Sequence, residues 1–73
     1  MDDGREMLSL LIAEESELNR RIERLRVFLD GEEAARLGRH HANLIAEQRG
    51  AMEEVARILS LRVGLLEART GDD

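Results

Sequence analysis

The stretch RHHANLIAEQRGAMEEVARILSLRVGLLEAR, residues 39–69, decides the fold. At heptad spacing, Ile45, Met52, Leu59 and Leu66 form one apolar column, and Leu44, Ala51, Ile58 and Leu65 form a second beside it. A helix turns once every 3.6 residues, so the two columns share a side and make a stripe wide enough to bury one long helix against a partner. The flanking column reads His41, Gln48, Val55, Arg62. Three of these four side chains can form hydrogen bonds, yet they sit at the edge of a surface that should be buried. Groups of that kind serve either the packing or a ligand.

Toward the N-terminus, Leu8, Leu11, Leu18, Ile22, Leu25 and Leu29 repeat at helical spacing, with Glu15 as the charged interruption. Asp3-x-x-Glu6 offers a capping box ahead of them. Gly31 is placed to end the helix in the left-handed conformation. The sequence therefore predicts a first helix over about 5–30, nearly 40 Å long at about 1.5 Å per residue. Glu32 to Leu37, bounded by Gly31 and Gly38, predicts a short helical turn within a tip at 31–38, with acids at its start as the helix dipole prefers. A second helix is predicted over about 39–68, followed by a loose tail at 69–73. The fold class is all-α: an antiparallel helical hairpin forming a single domain over residues 1–73.

Composition points the same way. The chain has no proline, 37% charged residues and Phe28 as its one aromatic. It has no cysteine, which removes disulfides and thiolate metal sites. A chain of 73 residues lies near the lower limit for a self-sufficient core, so regular helix packing or association must supply the rest. The second helix carries more apolar surface than one partner covers, and Leu10, Ile12, Val27 and Phe28 lie off the main seam of the first. A homo-oligomeric helical bundle, such as a four-helix dimer, is the expected solution. Gly50 and Gly64 share one helical face with Asn43 and Arg57, and mark either tolerated drift or close approach of a helix or ligand to bare backbone. The longest apolar run, Leu10 to Ala13, is too short to span a bilayer, and Met1-Asp2-Asp3-Gly4 has no basic leader character. The expectation is a soluble protein of the cytoplasm.

The net charge of -5 argues against general nucleic-acid binding. The charge is unevenly spread: seven arginines stand against five acids between Asn19 and Arg49. Every basic residue is arginine, from a GC-rich genome or because a planar guanidinium grips phosphate and carboxylate through two parallel bonds. Arg21, Arg24 and Arg36 lie toward the tip with His40 and His41, forming either a solvated face of local ion pairs or an anion-binding cluster. Phe28 is either core or a platform for a base. Gln48 either bonds across the hairpin or holds a base edge, and Arg62 either pairs with Glu6 or Glu15 or holds a phosphate. His40 and His41 point about 100° apart and have no ligating residue four positions on, so no metal site is expected. With no cysteine nucleophile, no Ser-His-acid spacing and no phosphate-cradling glycine loop, neither catalysis nor a cofactor is expected.

The run Glu14-Glu15-x-Glu17-Leu18-x-x-Arg21-Ile22-x-x-Leu25-x-x-Phe28-Leu29 resembles the opening of a family of short phage-encoded helical-hairpin proteins first noticed in crAss-like phages. Leu44-Ile45-x-x-Gln48-x-x-Ala51-Met52 and Ile58-Leu59-x-x-Arg62-Val63 resemble that family's second helix. The likeness runs from about Ala13 to Val63 and departs from the pattern at Val55, where the family would place a tyrosine. It implies a phage accessory protein acting in the host cytoplasm to counter host defence. By analogy with helical sponges of this kind, it would sequester a cyclic-nucleotide or ADP-ribose-type signal. The candidate ligand-binding set is Arg21, Arg24, Phe28, His41, Gln48, Met52 and Arg62. The other reading is a protein-interaction module, an inhibitor or adaptor docking on a host or phage protein through its surplus apolar stripe.

Overall fold

A computed structural model describes residues 3–71 of the chain, with side chains from Gly4 to Arg69. Every regular element among the described residues is a helix: α1 (Asp3–Leu29), α2 (Glu32–Leu37) and α3 (Arg39–Gly71). Leucine, alanine, glutamate and arginine are the commonest residues of the 27 in α1 and the 33 in α3 taken together, and all lose little side-chain freedom in a helix.

α1 begins at Asp3, and the capping box expected from the Asp3 carboxylate falls outside the described side chains. α3 continues to Gly71, past the point where a loose tail was expected from Arg69. No helix breaker stands between Leu65 and Arg69, and Arg69 puts a cation in the last turn, where the helix dipole favours it. Asp72 and Asp73 lie outside the described residues.

The chain reverses at the two glycines flanking α2. The end of α1 tightens, with the Asp30 amide donating to the carbonyls of Arg26 at 3.3 Å and Val27 at 3.2 Å, and the Gly31 amide to Phe28 at 3.1 Å. Gly31 is not left-handed as expected: its φ of -96° and ψ of 174° are extended, because it serves as the N-cap of α2. The conformation that requires glycine is at Gly38, with φ 94° and ψ 156°. Gly38 turns the chain between two helices whose bonds it joins, its amide donating to Ala35 at 3.3 Å and its carbonyl accepting from Ala42 at 3.0 Å.

α1 and α3 pack along their length. Leu11, Leu59 and Val63 are buried together, with Leu8, Leu18 and Leu66 packed around them, so the first half of α1 meets the second half of α3. Nearer the tip, Leu18 and Leu25 approach Gln48 and Met52. The molecule is a rod of 54 × 14 × 14 Å. Its radius of gyration is 16.4 Å, against about 11 Å for a compact chain of this length. Among the described residues, the one buried apolar residue besides the Leu11 cluster is Ala34, under the tip.

The seam is shifted from the expected stripe. The Ile45, Met52, Leu59, Leu66 column faces α1, but its companion is Ala42, Arg49, Ala56 and Val63, not Leu44, Ala51, Ile58 and Leu65. Ala42 and Ala56 are partly buried in this seam. Arg49 lays its stem along the seam and reaches Glu53 at 4.0 Å. The second expected column remains in water, with Leu44 50% and Leu65 69% exposed. A Cβ built on Gly50 or Gly64 meets nothing within 4 Å, so no close approach within the chain explains either glycine.

Candidate functional site

An open groove of about 470 Å³ lies between α1 and α3, lined by Leu18, Arg21, Arg24 and Leu25 from one helix and Gln48 and Met52 from the other. On α1, positions 18, 21 and 25 follow the three- and four-residue steps of one face, and Arg24 lies beside them. Because the chain reverses at the tip, that face looks toward Gln48 and Met52, one turn apart on α3. Four of the seven candidate residues, Arg21, Arg24, Gln48 and Met52, thus converge on one concavity.

The polar groups of the groove are only partly engaged. Gln48 Nε2 donates to Met52 Sδ at 4.0 Å, a weak contact along its own helix, and not across to α1. That leaves the carboxamide oxygen able to accept. Arg24 forms no ion pair among the described residues. Arg21 Nε lies 3.6 Å from Glu17 Oε1, and that same carboxylate receives a 2.7 Å hydrogen bond from Arg20. The Arg20 hydrogen bond and charge, aided more weakly by Arg21 and Arg24, hold the Glu17 carboxyl below the usual carboxylate range against partial desolvation. Glu17 therefore stays ionised but is largely spent on Arg20, and the groove keeps excess positive charge beside an apolar floor of Leu18, Leu25 and Met52.

The other three candidates lie elsewhere. Phe28 is half-buried in a separate depression with Val27, Gly31, Glu32, Glu33 and Arg36. His41 is exposed, seven residues and about 10 Å before Gln48 on α3. Arg62 is 14 residues beyond Gln48, about 21 Å along the helix, so one small ligand cannot touch both within one chain. Arg62 makes no ion pair with Glu6 or Glu15. It lines a second groove of about 450 Å³ with Met7, Leu65, Leu66 and Arg69. Met7 and Arg69 escaped the sequence reading. Reflecting the chain about its tip would have set Met7 opposite Arg62, just as it sets Arg21 opposite Gln48.

Among the described residues, no group of three or more His, Asp or Glu side chains is placed to hold a metal ion, and no helix is long and apolar enough to cross a membrane.

Fold and groove together define a small all-helical protein with an arginine-lined cleft between two long helices. Residues 6–65 match the family model for Sequestin, and the chain belongs to the Sequestin family. The family's name points to sequestration, which is binding and not catalysis. No curated protein and no solved structure matches the chain.

Proposed function

We propose that this chain is a phage accessory protein that binds and sequesters a small phosphorylated or nucleotide-derived immune signal in the host cytoplasm, without catalysis, as a homo-oligomeric bundle of helical hairpins. The observation that carries this reading is the convergence of Arg21, Arg24 and Gln48 over Leu18, Leu25 and Met52. The guanidiniums supply charged donors in the fork geometry that phosphate accepts. The Gln48 carboxamide offers a donor and an acceptor side by side, as a base edge requires. The Met52 thioether and the leucines give a ring an apolar bed. Two guanidiniums, an amide, a thioether and two leucines include no nucleophile or general base at neutral pH, which favours capture over turnover. The Sequestin family name supports the same direction.

The test is thermal unfolding followed by circular dichroism with a panel of cyclic nucleotides and cyclic ADP-ribose isomers. A ligand present at a hundred times its Kd adds about 2.7 kcal/mol, and for a domain of this size that moves Tm by at least about 10 °C. One class of ligand should produce the shift, and Arg24→Ala and Gln48→Ala should remove it while leaving helicity intact. A panel that shifts nothing overturns the proposal.

The exposed apolar residues Leu44, Val55, Ile58 and Leu65 favour a second reading, an inhibitor or adaptor that docks on a host or phage protein. Recovery of one stoichiometric partner from infected-cell lysate, together with a silent ligand panel, would select it.

A further inference from the structure

The groove at the open end of the hairpin, where α1 begins and α3 ends, differs in chemistry from the one nearer the tip. Met7 lines it from α1, and Arg62, Leu65, Leu66 and Arg69 line it from α3. Among the described residues, its polar side chains are the two guanidiniums alone, with no carboxamide, hydroxyl or carboxylate beside them. The groove nearer the tip adds the Gln48 carboxamide to its arginines. At about 450 Å³ the open-end groove is within the roughly 300–1,000 Å³ of small-molecule pockets.

Arg62 stands in an apolar ring. Ile58 precedes it by four residues and Leu65 follows it by three, the steps that bring helical side chains together. Across the groove is Met7, with Leu10 about one turn further along the same flank of α1. Leu65 and Leu10, 69% and 65% exposed, are the two most exposed large apolar side chains among the described residues, and Met7 is 45% exposed. Single exposed leucines are ordinary, but apolar surface gathered around a charge marks a place where something binds.

The lining selects the occupant. A guanidinium holds a carboxylate through two parallel bonds, and Arg62 forms no ion pair among the described residues. Without an amide to read a base edge, or an acid to hold a cation, the groove suits an anionic head on an apolar body. The helix dipole sets the direction. α3 ends at Gly71 with Arg69 in its last turn, where the negative pole disfavours an anion. Arg62 is seven residues and about 10 Å earlier, beyond the reach of that pole. The head therefore goes to Arg62, and the body lies over Met7, Leu65 and Leu66 toward the end of the rod.

We infer that the open-end groove is a second ligand site, separate from the groove nearer the tip, and that it takes an amphipathic carboxylate: an acyl chain whose carboxylate is held by Arg62 and whose methylenes rest on Met7, Leu65 and Leu66. About 21 Å of helix separates Arg62 from Gln48, so both grooves of one chain can be filled together. The inference goes beyond the sequestering reading and does not depend on it.

The test is equilibrium dialysis of the full chain against decanoate below its micellar range. Binding should saturate near one decanoate per chain. Across hexanoate, octanoate and decanoate, affinity should rise by up to about fourfold per methylene, the factor for a fully buried one. Arg62→Ala should weaken decanoate binding by at least about tenfold, since it removes a charge-assisted hydrogen bond. Leu65→Ser should weaken it as well, whereas Leu44→Ser, on an exposed leucine that lines neither groove, should not. Arg24→Ala should leave it unchanged, and helicity by circular dichroism should be the same in all four variants. Unsaturable binding, or equal losses in Leu44→Ser and Leu65→Ser, would reduce the effect to general stickiness of α3 and overturn the site. Loss in Arg24→Ala would place decanoate in the groove nearer the tip and overturn it too. Stabilisation by cyclic nucleotides is measured separately on Leu65→Ser and should persist there, so that failure of either reading leaves the other standing.

Discussion

Gly50 and Gly64 give the sharpest test of which faces of α3 are at work. Both lie inside a continuous helix, and an added Cβ meets nothing within 4 Å at either position. Glycine in a helix interior costs about 0.8–1.0 kcal/mol relative to alanine, mostly through the backbone freedom it loses. The two sites are 14 residues apart, about 21 Å along the helix, far enough for their effects to add. The double variant Gly50→Ala/Gly64→Ala should therefore gain about 2 kcal/mol and raise Tm by roughly 8–16 °C. The assay is a far-UV circular dichroism melt at fixed protein concentration, because the Tm of an assembling protein depends on it. Each glycine is two residues from Gln48 or Arg62, hence about 160° round the helix from it. Ligand binding should be unchanged. A lower Tm, or loss of ligand binding, would mean that something approaches bare backbone on that face, and the working surface would have to be reassigned.

Other substitutions probe the joints and the core. Gly38→Ala forces a side chain into a backbone region that only glycine adopts comfortably, and should cost about 1–3 kcal/mol in a urea melt; Gly31→Ala, at an extended φ, should cost far less. Leu59→Ala empties the most buried site of the seam and should cost about 2–5 kcal/mol, lowering Tm by at least about 8 °C. Acid should destabilise the helices through Glu17, Glu23 and Glu54, whose carboxyls are held low by hydrogen bonds from Arg20, Arg26 and Arg57 respectively. A depressed folded pKa contributes stability above the unfolded value near 4.5 and loses it as pH falls through the folded one, so Tm should decline below about pH 4.5. These pairs are exposed, so the effect should be small and weaken further in high salt; a Tm flat from neutral pH down to strong acid would contradict it.

The helical class was legible because apolar residues recur at helical steps without a proline to interrupt them. The glycines at 31 and 38 marked the joints, although their backbone roles could not be told apart from composition: either suits a helix end, and only the geometry shows Gly38 carrying the unusual φ. Which of the adjacent columns on α3 would face α1 was not legible. Hydrophobicity favours Leu44 and Leu65, yet the partly buried positions are Ala42 and Ala56, while Leu44 and Leu65 stay exposed. Gln48 and Arg62 looked like one site because they share a flank. A shared face is not a shared place: the 14 residues between them already put about 21 Å of helix between the two. Arg69 continues the His41, Gln48, Val55, Arg62 column by one more heptad and Met7 mirrors Arg62 about the tip, but neither relation marks a groove until α1 and α3 lie side by side.

Sequestration is tested most directly by following the ligand. The compound that stabilises the protein in the melting panel is incubated with increasing protein, and its free concentration is measured by filtration. The sample is then heated and the small molecule recovered. Free ligand should fall in fixed stoichiometry with added protein, and heating should return all of it at its original mass. Recovery of a chemically altered product would make the protein an enzyme, and a free concentration indifferent to added protein would end the case for a sponge.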